Sequence, residues 1–489
     1  MANDFSIWPL AALLISLLGA VPIMLSHRRP NVREGWTLLI GVGKFLIIAS
    51  MLPAVLAGAT PSFTIAEVFP GVPFALRVDP LGLFFALIAS LLWIFTSLYS
   101  MGYMRALKEH DQTRYFASFA VAISATIGVA FSANLFTLYL FYEMLSLSTY
   151  PLVTHEQTAA ARSAGRKYLT YILGTSIGLV LPAMLITYGL TGTLDFSAGG
   201  ILAGQAPAGT LSLLLVLYVL GFAKAGIMPV HAWLPAAMAA PTPVSSFLHG
   251  VAVVKVGVFS IIRILVDVFG IDLLRDLNLG MALTYFVSIT ILAASLIALT
   301  QDNLKRRLAY STIGQLSYMI LGVGMLSAAG VTGGMLHIGM HAFGKITLFF
   351  CAGAIYVASN RKYISEMDGL GRRMPITYVA FLLGSMSIIG LPPLGGFISK
   401  WHLLLGAVEA DQLILLLVLI ISSLLNVAYF FPIVYRGFFA APADGKSLEG
   451  VKEPPLFCLI PLSATALISV ALFFYPHLFL DLLAGIPIP

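Results

Sequence analysis

Charge is scarce in this chain: Asp, Glu, Lys and Arg make up 10% of its 489 residues, against 59% hydrophobic. An ordinary soluble domain carries about 25% charged residues, so a water-facing globular protein is excluded. No polar stretch is long enough to fold as a separate soluble domain. Cysteine is scarcer still. Cys351 and Cys458 stand far apart inside apolar runs, which excludes a disulfide framework, a CxxC redox pair and an iron–sulfur cluster held by this chain. GxGxxG, GxxxxGK(S/T) and HExxH are all missing; Ala159 stands where the His155-Glu156 pair would need a second histidine. No cofactor is therefore expected in this chain. The net charge of +6 is scattered over short loops, so no nucleic-acid surface is expected either.

What remains is apolar sequence in runs of about 20 residues, the length that crosses a bilayer. The runs fall at 5–27, 36–58, 80–103, 115–132, 134–153, 167–191, 211–239, 243–268, 276–299, 307–327, 331–358, 375–404, 412–438 and 455–482. These fourteen spans predict an all-α polytopic membrane protein with one membrane domain over 1–489. The tight turn Ser132-Ala133-Asn134 separates the fourth and fifth. Met1-Ala2-Asn3-Asp4 lacks the basic stretch of a signal peptide, so the first span is expected to be retained. Alternate loops hold 19 of the 27 basic residues, among them Arg28, Arg105, Arg162, Lys305, Arg372 and Lys446. The opposite loops hold only Arg77 and Arg275, with Arg263 near a helix end. By the positive-inside rule this bias predicts both termini on the non-cytoplasmic side of the cell (inner) membrane.

Two spans are interrupted. The seventh carries Pro229 and Pro235 after Lys224, with His231 between the prolines; the twelfth carries Pro392 and Pro393 before Lys400. Proline removes a backbone donor and clashes with the preceding turn. Irregular backbone at membrane depth survives only when buried in protein or lining a watery cavity. Two such spans, five apart and so crossing in opposite senses, point to an inverted repeat with a pathway between its halves.

Charges inside spans are costly and by default functional. Glu143 is the one carboxylate in mid-span; Lys44, Lys224, Lys255, Lys345 and Lys400 are the lysines. A carboxylate near Lys224 would hold its proton and, on leaving, release it, so Glu143 and Lys224 form either a gated proton carrier or a permanent packing ion pair. His337, His341 and Lys345, spaced by four, share one helical stripe at roughly 6 Å per step, suited to a relay, to ordering water or to packing. A metal is not expected there, because a third ligand is missing. Lys255 lies mid-span; His249, six residues earlier, is off its helical face and is either a neighbouring station or a packed interface histidine. Lys400 is a terminal station or, beside Trp401 and His402, an interfacial anchor. His231 is an uptake-side donor or a cap for the broken helix. Lys44 is expected to snorkel to the cytoplasmic interface. Asp79 is expected to cap the third span, with Arg77 beside it.

The segments Tyr-Leu-Phe-Tyr-Glu143-Met-Leu-Ser, Phe-Ala-Lys224-Ala-Gly-Ile-Met-Pro-Val-His231-Ala-Trp-Leu-Pro, Val-Val-Lys255-Val-Gly-Val, His337-x3-His341-x3-Lys345 and Gly-Leu-Pro-Pro-Leu-x-Gly-Phe-x-Ser-Lys400 resemble the antiporter-like proton-translocating subunits. Such subunits occur in respiratory complex I, Mrp-type Na+/H+ antiporters and membrane-bound hydrogenases. The resemblance covers nearly the whole chain. It implies two inverted five-helix repeats, spans 4–8 and 9–13, broken at helices 7 and 12. The divisions are then 1–114 for a three-helix segment, 115–268 and 276–438 for the repeats, and 455–482 for the last helix. It also implies Glu143 and Lys224 as a coupling ion pair, Lys255 as central relay, the histidine span as its continuation and Lys400 as the terminal site. Lysine at that last position is similar to the D-type members of Mrp antiporters and the N-type members of complex I. Partner membrane subunits, protons, Na+ as an open possibility and the lipid bilayer are the expected associates. A proton-pumping subunit of an NADH-quinone oxidoreductase or of a membrane-bound hydrogenase stays open as the alternative. The chain itself then holds no redox site.

Overall fold

Lipid offers no partner to a backbone N–H or C=O, and this chain satisfies its backbone almost wholly within helices. The computed structural model describes residues 4–442 and 448–486; Lys446, one of the loop charges counted above, lies outside the described residues. Strand β1 (Asp4–Phe5) leads into α1 (Trp8–Leu25), α2 (Pro30–Ser50) and α3 (Leu52–Leu56), then a hairpin of β2 (Pro61–Phe69) and β3 (Val72–Arg77). Next come α4 (Pro80–Ala106), α5 (Gln112–Ala130), α6 (Leu135–Val153), α7 (Ala159–Thr175) and α8 (Leu181–Thr191), the last two joined through a π-helical turn. α9 (Ala208–Gly221) gives way to a 3-10 turn, then the short α10 (Trp233–Ala236), α11 (Thr242–Gly250), α12 (Val253–Arg263) and α13 (Ile271–Asp276). α14 (Leu279–Thr300), α15 (Leu304–Gly324), α16 (Ala328–Ser359), α17 (Leu370–Arg373), α18 (Pro375–Ile389), α19 (Gly395–Glu409), α20 (Leu413–Phe439), α21 (Leu456–Phe474) and α22 (His477–Ala484) complete the chain.

Nine helical stretches among the described residues are long and apolar enough to cross a membrane, with α2–α3 and α7–α8 each continuous. Their outer faces stay apolar: Leu18, Leu185, Leu296 and Leu424 are all exposed, as a lipid-facing coat requires. The turn before α6 is as expected, with Asn134 Oδ1 accepting from Thr137 N at 2.8 Å to cap the helix.

Two expectations are corrected. The chain is not wholly α, because β1 pairs parallel with β2, and β2 antiparallel with β3. The segment Pro61–Phe69 is too short and too mixed to span, and it is rich in β-branched and aromatic residues. The hairpin is pinned across the α5–α6 turn by Arg77 N on Phe131 O (2.7 Å) and Asn134 Nδ2 on Pro73 O (2.6 Å). The expected eighth span, 243–268, is also not one helix: α11 and α12 part at Val251 and Ala252, whose backbones leave the helical region. No proline marks that break.

α16 is the hub. It packs against α4, α11, α15, α18, α19 and α21, and every residue from Gly333 to Ile355 is buried. Asp79 caps α4 as expected, its Oδ1 accepting from Gly82 N at 2.8 Å. Its ion partner is Arg263 at 2.6 Å, which also holds Asp267 at 2.8 Å. Arg77 instead donates to Phe196 O at 2.9 Å.

Candidate functional site

The seventh-span motif folds as its prolines and glycines require. α9 stops at Gly221, a 3-10 turn carries Lys224, and Gly226 takes a left-handed φ of 70°. The Ala223 carbonyl closes this turn, accepting from Gly226 N and from Trp233 Nε1, both at 2.9 Å. Lys224 is fully buried. Its ammonium donates to Tyr142 O and lies 3.3 Å from the centre of the Tyr142 ring. Gly257 lets α12 pack against this turn, because a Cβ there would overlap the Lys224–Ala225 backbone. The expected Glu143–Lys224 ion pair is not formed among the described residues; both Glu143 carboxylate oxygens are buried and accept no hydrogen bond. The ammonium is held at Tyr142, beyond contact distance of the Glu143 carboxylate, which still attracts it across the gap.

The remaining stations lie around α16. Lys255 Nζ, from α12, meets His341 Nδ1 at 2.5 Å. The His341 and His337 rings lie 5.8 Å apart, as the spacing of four predicts, without a hydrogen bond between them. His337 Nε2 pairs with Gln315 Oε1 at 3.0 Å, and its Nδ1 with Ser399 Oγ at 2.8 Å. Lys345 Nζ donates to Ser311 Oγ at 2.8 Å, and that oxygen also accepts from Tyr429 OH at 2.9 Å. Asn426 joins these arms. With its amide oriented to satisfy its neighbours, its oxygen accepts from Lys400 Nζ (3.3 Å) and Gln315 Nε2 (3.1 Å), and its nitrogen donates to Tyr429 OH (2.5 Å) and Ser422 O (3.1 Å). Lys400 is buried, so the interfacial-anchor alternative fails; its ammonium donates to Ile389 O, the end of α18, and to Ser423 Oγ, both at 3.0 Å. A cavity of about 230 Å³ opens beside it, lined by Tyr318, Gly390, Trp401 and Ser423. One hydrogen-bonded network thus runs from Lys345 and from His337 to Lys400.

The sequence profile described as NADH:quinone oxidoreductase/Mrp antiporter, TM matches residues 132–426, the stretch that holds this whole network. The chain belongs to that family. NADH-quinone oxidoreductase subunit N of Desulforudis audaxviator (strain MP104C) is 31% identical over 385 residues, spanning 78% of this chain and 74% of its own length. Hydrogenase-4 component B of Escherichia coli (strain K12) is 31% identical over 487 residues, spanning 94% and 71%. In fold, the chain is similar to one in the Mrp complex from Dietzia sp. DQ12-45-1b, with TM-score 0.87, 22% identity, and 98% and 96% of the two chains covered. A chain of the membrane-bound sulfane sulfur reductase, an archaeal respiratory membrane complex, aligns with TM-score 0.85, 24% identity, and 98% and 97% covered.

This family member is therefore a multi-pass membrane protein, and several of its polar contacts were not singled out from sequence. Ser311, Gln315, Ser399, Asn426 and Tyr429 carry the connections between the charged stations. The available signal was spacing: Ser311 and Gln315 lie one turn apart on α15, as do Asn426 and Tyr429 on α20. His249 is buried against Phe349, ring centres 4.8 Å apart, with both nitrogens unpartnered; the break at Val251 puts it on a different helix from Lys255. His231 sits half-buried in the first break, 6.4 Å from the Tyr310 ring. Lys44 corrects the sequence expectation outright. It is 0% exposed and its ammonium has no hydrogen-bond partner, so it does not snorkel. Lys44 lies on α2, which packs between α1 and α4. A buried polar group left unpaired costs about 1–3 kcal/mol. Lys44→Met is therefore expected to raise the thermal midpoint of the purified protein; a drop in a thermal-shift assay would show that the ammonium has a stabilising partner.

Proposed function

We propose that this chain is the proton-translocating, antiporter-like subunit of a multisubunit cation/proton antiporter, similar to the D-type members of Mrp antiporters. The observation that carries the proposal is the polar network from Lys345 and His337 to Lys400, built of titratable and rotatable donors through an otherwise apolar interior. Lysine and histidine exchange protons, and Ser, Tyr and amide groups pass or orient them. In this reading protons enter from the cytoplasm near the first broken helix, move along Lys224, Lys255, His341, His337 and Lys345, and leave outward through Lys400 and its cavity. Glu143 and Lys224 act as a gate that alternates between a paired and a parted state. His231 is a donor at uptake, and His249 a side station. The two gaps without a hydrogen bond, Lys224 to Lys255 and His341 to His337, are the steps at which gating acts.

The same proposal includes fourteen spans with two inverted repeats, 115–268 and 276–438, and both termini on the non-cytoplasmic face of the cell membrane. The break at Gly390–Pro393 answers the one at Gly226–Pro235, and in each the buried lysine touches a main-chain carbonyl. A second reading is favoured by the two curated relatives, named as an NADH-quinone oxidoreductase subunit and a hydrogenase component: a proton-pumping membrane subunit driven by redox partners. Purification of the intact complex separates the two. Co-purified membrane subunits without flavin or iron–sulfur proteins, with Na+-dependent proton movement in proteoliposomes, is the expected result. Cofactor-bearing partners would transfer the chain to the redox-driven reading, and a complex that moves no protons under either drive would overturn both.

A further inference from the structure

At one end of the bundle, away from the buried network, three side chains with metal-ligating atoms converge. The turn between α4 and α5 supplies Glu109 and His110, and the end of α6 supplies His155; one ligand atom from each lies within 4.8 Å of the others. His155 is 0% exposed, yet neither ring nitrogen has a hydrogen-bond partner. Its Nε2 faces Glu109 Oε2 at 3.8 Å, beyond hydrogen-bond reach. The His110 ring lies parallel to it, with centres 4.9 Å apart. His110 Nδ1 meets Asp111 Oδ2 at 3.2 Å. A carboxylate behind a ligating histidine is the common outer support of metal sites.

We propose that Glu109, His110 and His155 bind a divalent transition-metal ion of the zinc class, clamping the α4–α5 turn to the end of α6. Two imidazoles and one carboxylate are a zinc donor set with a fourth position for water. Zinc–nitrogen bonds of about 2.0–2.1 Å in a tetrahedron place donor atoms about 3.3 Å apart, so the three must draw inward. The Glu109 and His110 side chains are 19% and 49% exposed and have room to turn. Burial, with the His110 ring and the Arg114 guanidinium nearby, pushes the His155 imidazole down to about 4. The ring is then neutral at neutral pH, as a ligand must be. Burial and Glu156 raise Glu109, an effect that a bound cation reverses. Arg114, the cation beside the cluster, is drawn to Asp111 at 3.3 Å and to the His155 carbonyl at 3.4 Å. A metal here would brace α6, the helix that carries Tyr142 and Glu143.

The test uses the purified full-length protein in its complex, titrated with Zn2+ and, for spectroscopy, Co2+. Wild type is expected to bind an equivalent of Zn2+ and to give the intense visible bands of tetrahedral Co2+. Glu109→Gln and His110→Ala, both at partly exposed positions, are each expected to weaken binding by more than the roughly 10- to 100-fold typical of outer-shell changes. Absence of binding by wild type, or equal binding by wild type and the Glu109→Gln/His110→Ala double variant, would overturn the proposal.

Discussion

Lys224→Ala is expected to reduce proton translocation by the assembled complex to background while leaving the complex intact. Lys224 is the titratable group at the first break, buried and held by Tyr142 O and the Tyr142 ring. Without it, a proton would have to cross apolar protein with no acceptor. Placing a charge at the centre of a bilayer costs about 3 kcal/mol even on the gentlest scale. At 1.36 kcal/mol per tenfold, that is a loss of roughly 100-fold or more. Alanine leaves a void but no orphaned carboxylate in hydrogen-bond contact, because Glu143 does not touch the ammonium in this state. Subunit stoichiometry after purification reports assembly, and a pH-sensitive dye in proteoliposomes reports translocation. Wild-type translocation by this variant would remove Lys224 from the path.

Asn426→Leu is expected to give the next largest loss, about 10- to 100-fold in translocation, although residue 426 carries no charge and cannot titrate. Its amide joins four groups: Lys400, Gln315, Tyr429 and the Ser422 carbonyl. Leucine has a similar volume and no polar atom, so the arm from Lys345 and the arm from His337 would both lose their connection to Lys400. Gln315 Nε2 would be left unpaired, at about 1–3 kcal/mol, while Lys400 keeps Ile389 O and Ser423 Oγ, and a lower thermal midpoint should accompany the functional loss. Ser422→Ala is the control. Its hydroxyl bonds Ser295 Oγ at 3.0 Å, beside the network but outside the line between stations, and translocation should stay near wild type. Equal loss in the two variants would point to packing of α20 rather than to connection.

The legibility of this site in the sequence follows from energetics. A lysine or glutamate in an apolar run is expensive enough to stand out, so Glu143, Lys224, Lys255, Lys345 and Lys400 were all visible. Pro229, Pro235, Pro392 and Pro393 were visible because proline cannot donate to the helix ladder. The break between α11 and α12 was not, because it falls at Val251 and Ala252, two helix-compatible residues, with no proline to mark it. The burial of Lys44 was hidden for a related reason. Snorkelling depends on whether the side chain stays open to the interface; here Lys44 is fully buried on α2, which packs against α1 and α4. The sheet at 61–77 lay in a loop whose alternation is short and whose anchor, the α5–α6 turn, is remote in sequence.

By itself the sequence determined that the chain lives in a membrane, where proline interrupts its spans, and which charged groups the interior has to accommodate. Those properties depend on local composition and on the lack of solvent in lipid, so no partner helix is needed to infer them. Only the tertiary structure decided the wiring. It placed α16 at the hub, turned Lys224 to Tyr142 instead of Glu143, and brought Ser311, Gln315, Asn426 and Tyr429 from α15 and α20 between the charges. A serine or an amide costs too little inside a helix to announce itself, because it can bond its own backbone; what it connects is set by the helices packed against it.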